Sequence, residues 1–351
     1  MAQEYLTFNP AASIDEEVAK ISPDKVLVVT DLNVEKVVLP LLKESGILAS
    51  SPRIAIPAGE SGKNLDTVIT VWDKLEEIGA TRRSLLLNIG GGVVTDLGGF
   101  AAATFKRGVP TINFPTTLLG AVDAATGGKT GIDFRGLKNE IGAFHLPRKV
   151  IISALPFSTL PHKEILSGYA EMVKTALISD RSFYLSLLDM ESILTDEDKL
   201  GKAVEKCVIV KEDVVAQDPT EKGLRKILNF GHTAGHAFES LRIERNLDVS
   251  HGEAVAHGML VALILSHMKL KFDSMEVQHY SKFLKDYYPG ALVRCDDLPE
   301  VMHKMNSDKK NKTYGQPVFT LLSSIGNPEI DCTPSQDEIK EALELYIDMV
   351  S

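Results

Sequence analysis

Leu85-Leu86-Leu87-Asn88-Ile89-Gly90-Gly91-Gly92-Val93-Val94-Thr95-Asp96 is an apolar run that enters three glycines and continues into a helical pattern over residues 93–105. A strand, a turn without side chains and a helix start follow one another, which is the layout of a phosphate-cradling turn. Glycines let the backbone approach a pyrophosphate, and the N–H groups of a helix start favour negative charge. The fingerprint GxGxxG is not met, because Thr95 stands where its third glycine would fall. A tight structural turn is therefore the competing reading of the glycines alone.

Outward from this turn, β-rich runs alternate with helical patterns. Residues 25–30, 53–57, 85–89, 111–114 and 149–153 read as strands, and residues 34–42, 67–78 and 93–105 as helices. This alternation predicts a mostly parallel sheet covered by helices, a Rossmann-like α/β fold. After Leu155-Pro156 the pattern becomes helical: 163–178, 183–190, 196–213, 231–239, 253–270, 277–286 and 336–349, with one β-like run at 318–322. The expectation is an α/β nucleotide-binding domain over 1–155 and a mainly α-helical metal- and substrate-binding domain over 156–351.

The 351 residues suffice for two domains, and 44% hydrophobic with 25% charged residues describes an ordinary globular protein. A net charge of −10 argues against nucleic-acid binding, which needs a concentrated positive footprint. It leaves room for a small anionic substrate, since local lysines and arginines oppose the global sign. Cys207, Cys295 and Cys332 show no CxxC spacing and read as reduced thiols of a cytoplasmic protein. Met1 to Tyr5 carry neither a basic nor an apolar leader region, so no signal peptide is expected, nor a membrane partner.

Gly231-His232-Thr233-Ala234-Gly235-His236 puts two histidines four apart on one helix face. His251 opens another helical run, and Glu171 lies on a third. A catalytic zinc wants three protein ligands and an open position, which two histidines and a glutamate supply. Helical histidine pairs are also common on surfaces and at caps, and spacing alone makes ligands of both His232 and His236. His145, His162, His257, His267, His279 and His303 lack such companions and read as structural or exposed. Arg107, Lys129, Lys138, Lys174, Lys211 and Arg225 stand near glycine turns or in apolar helices, a set suited to phosphate and carboxylate. Asp31 and Glu60, after the first two strands, serve equally as ribose-binding acids or as helix caps.

Taken together, GGGVVTDLGGF, FKRGVPTINFPTTLLGAVDAATGGKTGID, LKNEIGAFHLP, AEMVKTALI, LRKILNFGHTAGHAFE and HGEAVAHGM resemble the 3-dehydroquinate synthase family, in order over most of the chain. The resemblance implies a shikimate-pathway lyase that turns 3-deoxy-D-arabino-heptulosonate 7-phosphate into 3-dehydroquinate and phosphate, using NAD and zinc or cobalt, as a homodimer. It implies Glu171, His232 and His251 as metal ligands, and moves His236 from ligand to proton transfer. Asp31, Glu60, Lys63, Gly90, Gly91, Gly92, Asp96, Thr116 and Thr117 fall on nucleotide-contacting positions, with Lys129 and Lys138 alongside. Arg107, Asp123, Lys129, Lys138, Asn139, Lys174, Lys211, Arg225, Asn229 and either Lys309 or Lys310 (Lys310 is taken) fall on substrate-site positions; Asp123, Lys129, Lys174 and His236 are the catalytic candidates. The rival readings are a sister sugar-phosphate cyclase resembling 2-deoxy-scyllo-inosose synthase, and a metal-dependent polyol dehydrogenase that would release NADH.

Overall fold

A computed structural model describes residues 6–135, 137–307 and 315–351. Contacts divide the chain into two compact units, Met1–Ile165 with Thr195–Glu212, and Leu166–Leu194 with Asp213–Ser351.

The first unit is built on five parallel strands in the order β2-β1-β3-β4-β7: β1 (Val26–Asp31), β2 (Arg53–Ile56), β3 (Leu85–Gly90), β4 (Thr111–Pro115) and β7 (Lys149–Val150). Leu85, Leu86, Leu87 and Ile89 of β3 are fully buried, as a central strand covered on both faces requires. The helices are α1 (Pro10–Ile21), α2 (Leu32–Val37), α3 (Gly46–Ser50), α4 (Leu65–Glu77) and α5 (Gly92–Thr104). Val68, Val71 and Leu75 of α4 join Val94, Leu97 and Ala101 of α5 against one face, while Ile14, Val18 and Val34 cover the other. The chain leaves β1 toward β2 but leaves β3 toward β4. The order therefore reverses between β1 and β3, the position where doubly wound sheets bind ligands at the carboxyl ends of their strands.

Two expectations for this unit are revised. Residues 34–42 do not form one helix: α2 stops at Val37 and a 3₁₀ turn, Leu39–Leu42, follows with Pro40 inside it. Proline lacks the N–H that would continue the α-helical ladder. An antiparallel hairpin, β5 (Lys129–Phe134) and β6 (Leu137–Phe144), occupies a stretch for which no strand is expected from the pattern.

The second unit holds α6 (His162–Ser179) from Leu166 onward, α7 (Arg181–Leu187), α8 (Met190–Leu194), α10 (His232–Glu244), α11 (His251–Leu270), α12 (Ser274–Tyr287), α13 (Leu298–Asn306) and α14 (Gln336–Val350), while α9 (Glu197–Gln217) contributes most of its length to the first unit. The β-like run is half of a hairpin, β8 (Phe319–Ser324) with β9 (Asn327–Cys332). α11 is apolar on all sides and buried from Ala254 to Ser266, which marks it as the central core helix of this unit. Ser250 caps it, with Glu253 returning the hydrogen bond to the backbone of Ser250.

Candidate functional site

In the first unit the site grows from the end of β3. The last β1–β3 pair in register is Val29 with Asn88, so Asp31 and Gly90 follow side by side at the reversal of strand order. α5 begins at Gly92 with no side chain capping its first turn, leaving the N–H groups and helix dipole for a ligand. The turn is packed tightly: a Cβ on Gly91 would stand 2.9 Å from Thr117 Cγ2, and one on Gly92 3.2 Å from Ala124 Cβ. Thr116 donates its backbone N–H to Gly90 O at 3.0 Å, tying the end of β4 to the same turn. A glycine cradle at a switch point fits the pyrophosphate of a dinucleotide. Asp31 is a helix cap: its Oδ1 accepts from Asn33 N and Val34 N at 2.8 and 2.9 Å.

Lys63 is the buried centre of this side. Its Nζ donates to Asp96 Oδ2 and Asn139 Oδ1, each at 2.6 Å, and stands 3.9 Å from the exposed Glu60. Burial disfavours its charge, but Asp96 and Glu60 more than compensate and raise its pKa. Burial raises Asp96 above the usual carboxylate range, against the pull of Lys63. Asn139 sits in β6 at a φ of +52°, its N–H bonded to Asp133 Oδ1 at 2.8 Å, so the hairpin delivers it to Lys63. Asp123 lies in a π-helical turn, Gly120–Ala124, where Lys211 of α9 binds both its backbone oxygen and Oδ1, the latter at 2.5 Å. Arg107, Lys129 and Lys138 are exposed, and Arg107 has a φ of +69°.

In the second unit three helices, α6, α10 and α11, bring charge into the interior. Glu171 and Lys174, one turn apart on α6, are buried and form an ion pair. Glu171 Oε1 lies 3.5 Å from His232 Nε2 and 3.6 Å from His251 Nε2. His236 completes a histidine group whose ligand atoms with those of His232 and His251 all fall within 4.8 Å. α6 and α11 meet because Gly252 follows His251: its N–H bonds Ser167 Oγ at 3.1 Å, and a Cβ there would lie 1.9 Å from Ser167 O. Gly231, at a φ of +78°, starts α10 and sets His232 at its first position.

The two imidazoles next to Glu171 are turned the same way. His232 Nδ1 faces Phe230 O at 3.1 Å, and His251 Nδ1 faces Glu239 Oε2 at 3.3 Å, so each presents Nε2 toward Glu171. Burial opposes a charge on His251, yet the Glu171 and Glu239 carboxylates, as acceptors for its N–H groups, outweigh it and lift its pKa to about 10. A pocket that favours positive charge, lined by a carboxylate and imidazoles, fits a divalent metal of zinc or cobalt type. Arg225 is buried, its Nη1 donating to Pro219 O at 2.8 Å, and Asp218 shapes that loop by accepting from Gly223, Lys222 and Arg225 N–H groups. Asn229 Nδ2 donates to Glu221 Oε1 at 2.8 Å. Lys309 and Lys310 lie outside the described residues.

Glu239 and Glu221 escaped the sequence reading. Glu239 carries a usable signal, since it stands two helical turns beyond His232 on the same face. Glu221 carries none, because only the folded loop brings it to Asn229.

Two family models match the chain, 3-dehydroquinate synthase N-terminal over residues 53–167 and 3-dehydroquinate synthase C-terminal over 168–311. A 3-dehydroquinate synthase of Parabacteroides distasonis is 41% identical over 335 residues, 95% of each chain. Among solved structures, 2-epi-5-epi-valiolone synthase of Streptomyces hygroscopicus, with NAD+ and Zn2+ bound, is similar at a TM-score of 0.81 and 25% identity, covering 93% of this chain and 92% of that one. A 2-deoxy-scyllo-inosose synthase complexed with carbaglucose-6-phosphate, NAD+ and Co2+ is similar at 0.81 and 25%, over 95% and 94%.

Proposed function

The chain belongs to the 3-dehydroquinate synthase family, and from that premise we propose how its residues divide the reaction. The enzyme converts 3-deoxy-D-arabino-heptulosonate 7-phosphate to 3-dehydroquinate and phosphate by transient oxidation, phosphate elimination, re-reduction, ring opening and intramolecular aldol closure. No net redox change remains, so the reaction is formally a lyase.

The observation that carries the assignment of residues is the placement of Glu171 Oε1 within 3.6 Å of the Nε2 atoms of both His232 and His251. These three would hold the divalent metal, which supplies Lewis acidity toward a substrate hydroxyl. The Gly90–Gly92 turn, Asp31, Glu60, Lys63, Asp96, Thr116 and Thr117 would hold NAD, which supplies a hydride acceptor and returns the hydride within the turnover. Arg107, Lys129, Lys138 and Arg225 bind the phosphate and carboxylate of the substrate, Arg225 as a fork held rigid by its buried setting. Asp123, Lys174 and His236 hold hydroxyls and move protons at them. Lys211 holds the Asp123 carboxylate in place, and Asn139 and Asn229 are fixed by Lys63 and Glu221 as substrate donors. From the family resemblance and the absence of CxxC spacing among its cysteines, we infer that the enzyme works in the cytoplasm as a homodimer.

Phosphate release from 3-deoxy-D-arabino-heptulosonate 7-phosphate, followed with catalytic NAD and with zinc or cobalt, tests the scheme. Phosphate without accumulating NADH is the expected result. Turnover only of a sugar phosphate lacking the carboxylate would move the chain to a sister cyclase, and stoichiometric NADH from a polyol would make it a dehydrogenase. Sedimentation as a monomer at micromolar concentration would remove the dimer.

A further inference from the structure

His232 and His251 are oriented by different kinds of acceptor. His232 Nδ1 meets a backbone oxygen, Phe230 O, fixed by the fold two residues away. His251 Nδ1 meets a side chain, Glu239 Oε2 at 3.3 Å, reaching from α10 to the first residue of α11. Glu239 is itself buried, so its carboxylate is held in a medium where a hydrogen bond is strong. We propose that Glu239 is a positioning residue for the metal centre: it accepts the Nδ1–H of His251, fixes that tautomer, and so leaves the Nε2 lone pair directed at the cation.

The physical argument is one of tautomers. A neutral imidazole carries one N–H, and the nitrogen without it is the ligand. Without an acceptor at Nδ1, His251 is free to place its proton on Nε2, on the side that faces the Glu171 carboxylate, whose Oε1 stands 3.6 Å away. The ligand nitrogen would then be blocked. The carboxylate also makes the imidazole a stronger donor, an effect worth about 10- to 100-fold in metal affinity where such partners are removed. His236 needs no such help in this scheme, because it is not a ligand.

The proposal rests on the assignment of His251 as a ligand, and the test separates the two. Glu239→Met keeps most of the volume and removes the acceptor; Glu239→Gln keeps an acceptor oxygen; His251→Ala removes the ligand itself. Cobalt affinity of each protein is read by competition with a chromophoric chelator, with circular dichroism confirming the fold. Expected are a 10- to 100-fold loss in Glu239→Met, a loss of less than about threefold in Glu239→Gln given its remaining acceptor, and abolished binding in His251→Ala. Cobalt bound by Glu239→Met as tightly as by the parent, or by Glu239→Gln as weakly as by Glu239→Met, overturns the positioning role. Unchanged affinity in His251→Ala overturns the ligand assignment instead. Should Glu239→Met fail to fold, nitrogen-15 spectra of the zinc-loaded parent decide: a slowly exchanging Nδ1–H on His251 supports the proposal, and a proton on Nε2 sinks it.

Discussion

In the function proposed here, the glycine turn of the first unit and the histidine cluster of the second would solve the same problem, ligand capture, by opposite means. Around Gly90–Gly92 the chain offers backbone: N–H groups at a helix start, close packing against Thr117 and Ala124, and few side chains. Around His251 it offers side chains, whose charges are buried by α6, α10 and α11 and matched to one another: Glu171 with Lys174 and two imidazoles, Glu239 with His251. A backbone site is written in one short stretch and survives many surface changes. A side-chain site is distributed over three helices and depends on each member, because removing one leaves another buried charge unmatched.

The largest effect expected from that contrast is at Glu171. Glu171→Ala removes the carboxylate that faces both imidazoles and should lower kcat/KM by at least about a thousandfold, the equivalent of the several kcal/mol a metal supplies. Metal content and turnover measured together check it; full turnover without bound metal would break the contrast. Next comes Gly252→Ala, where the new Cβ would lie 1.9 Å from the backbone oxygen of Ser167, an atom that cannot rotate away. A destabilisation of about 3 kcal/mol, with weakened metal binding, is expected from overpacking of this kind. Urea unfolding with and without zinc reads both, and an unchanged midpoint would show that α6 and α11 part easily.

The same contrast explains what the sequence disclosed. The β3–glycine–α5 unit was legible because an apolar run, a breaker and a helical period are local signals. The fully buried β3 and the start of α5 at Gly92 lie where those signals put them. Hairpin β5–β6 was not legible: Lys129–Phe134 mixes charge and glycine, and its identity as a strand comes only from pairing. α1 was passed over although Ile14 and Val18 keep helical spacing, because its apolar stripe is short. Lys63 gives no sign in sequence of being buried, since its partners Asp96 and Asn139 are 33 and 76 residues away. At the histidine cluster, spacing found His232 and His236, but the contacts of Glu171 with His232 and His251 appear only when α6, α10 and α11 pack together.

His257 sharpens the picture of the histidine-bearing helix. It is buried in α11, accepts from or donates to Tyr346 Oη through Nδ1 at 2.8 Å, and lies near Arg242, whose charge also disfavours protonation. Burial is the main cause that holds its pKa down to about 3, against an ordinary value of 6.5. Above pH 6.5 folded and unfolded forms are both neutral and the contribution is fully present. As pH falls below 6.5 the unfolded chain takes up the proton and the folded one does not, so stability is lost toward pH 3. Between pH 6.5 and 5 the loss from this group is about 2 kcal/mol. His257→Gln should unfold with a correspondingly flatter pH dependence over that interval, and identical slopes would exclude the residue.

On the nucleotide side the expected effects are smaller. Lys63→Met leaves Asp96 without its ammonium partner and Asn139 without its donor; Asp96 is partly exposed to water, which limits the penalty. An increase of about tenfold in the NAD dissociation constant, or roughly 1.4 kcal/mol, is expected from loss of one charge-assisted contact. Isothermal titration with NAD measures it, and an unchanged constant would detach Lys63 from the cofactor.

The smallest effect is at Gly98, and it isolates the packing behind the glycine turn from the turn itself. A Cβ at Gly98 of α5 would lie 2.1 Å from Asn88 Oδ1, a side chain fully buried in β3 whose Nδ2 donates to Asn113 Oδ1 at 2.9 Å. Unlike the oxygen opposing Gly252, this one belongs to a side chain that can shift at the expense of its own bond to Asn113. Gly98→Ala should therefore cost about 1 kcal/mol, the size of one displaced hydrogen bond, rather than the full overpacking penalty. Asn88→Ala costs stability as well, since Asn113 Oδ1 loses its donor. The double variant should cost less than the sum of the two, because the clash and the displaced side chain are the same event. Chemical denaturation of the four proteins gives the coupling directly. Strict additivity would mean that α5 shifts as a body, and NAD affinity would then fall in Gly98→Ala and in the double variant alike, since the first turn of the helix would have moved with it.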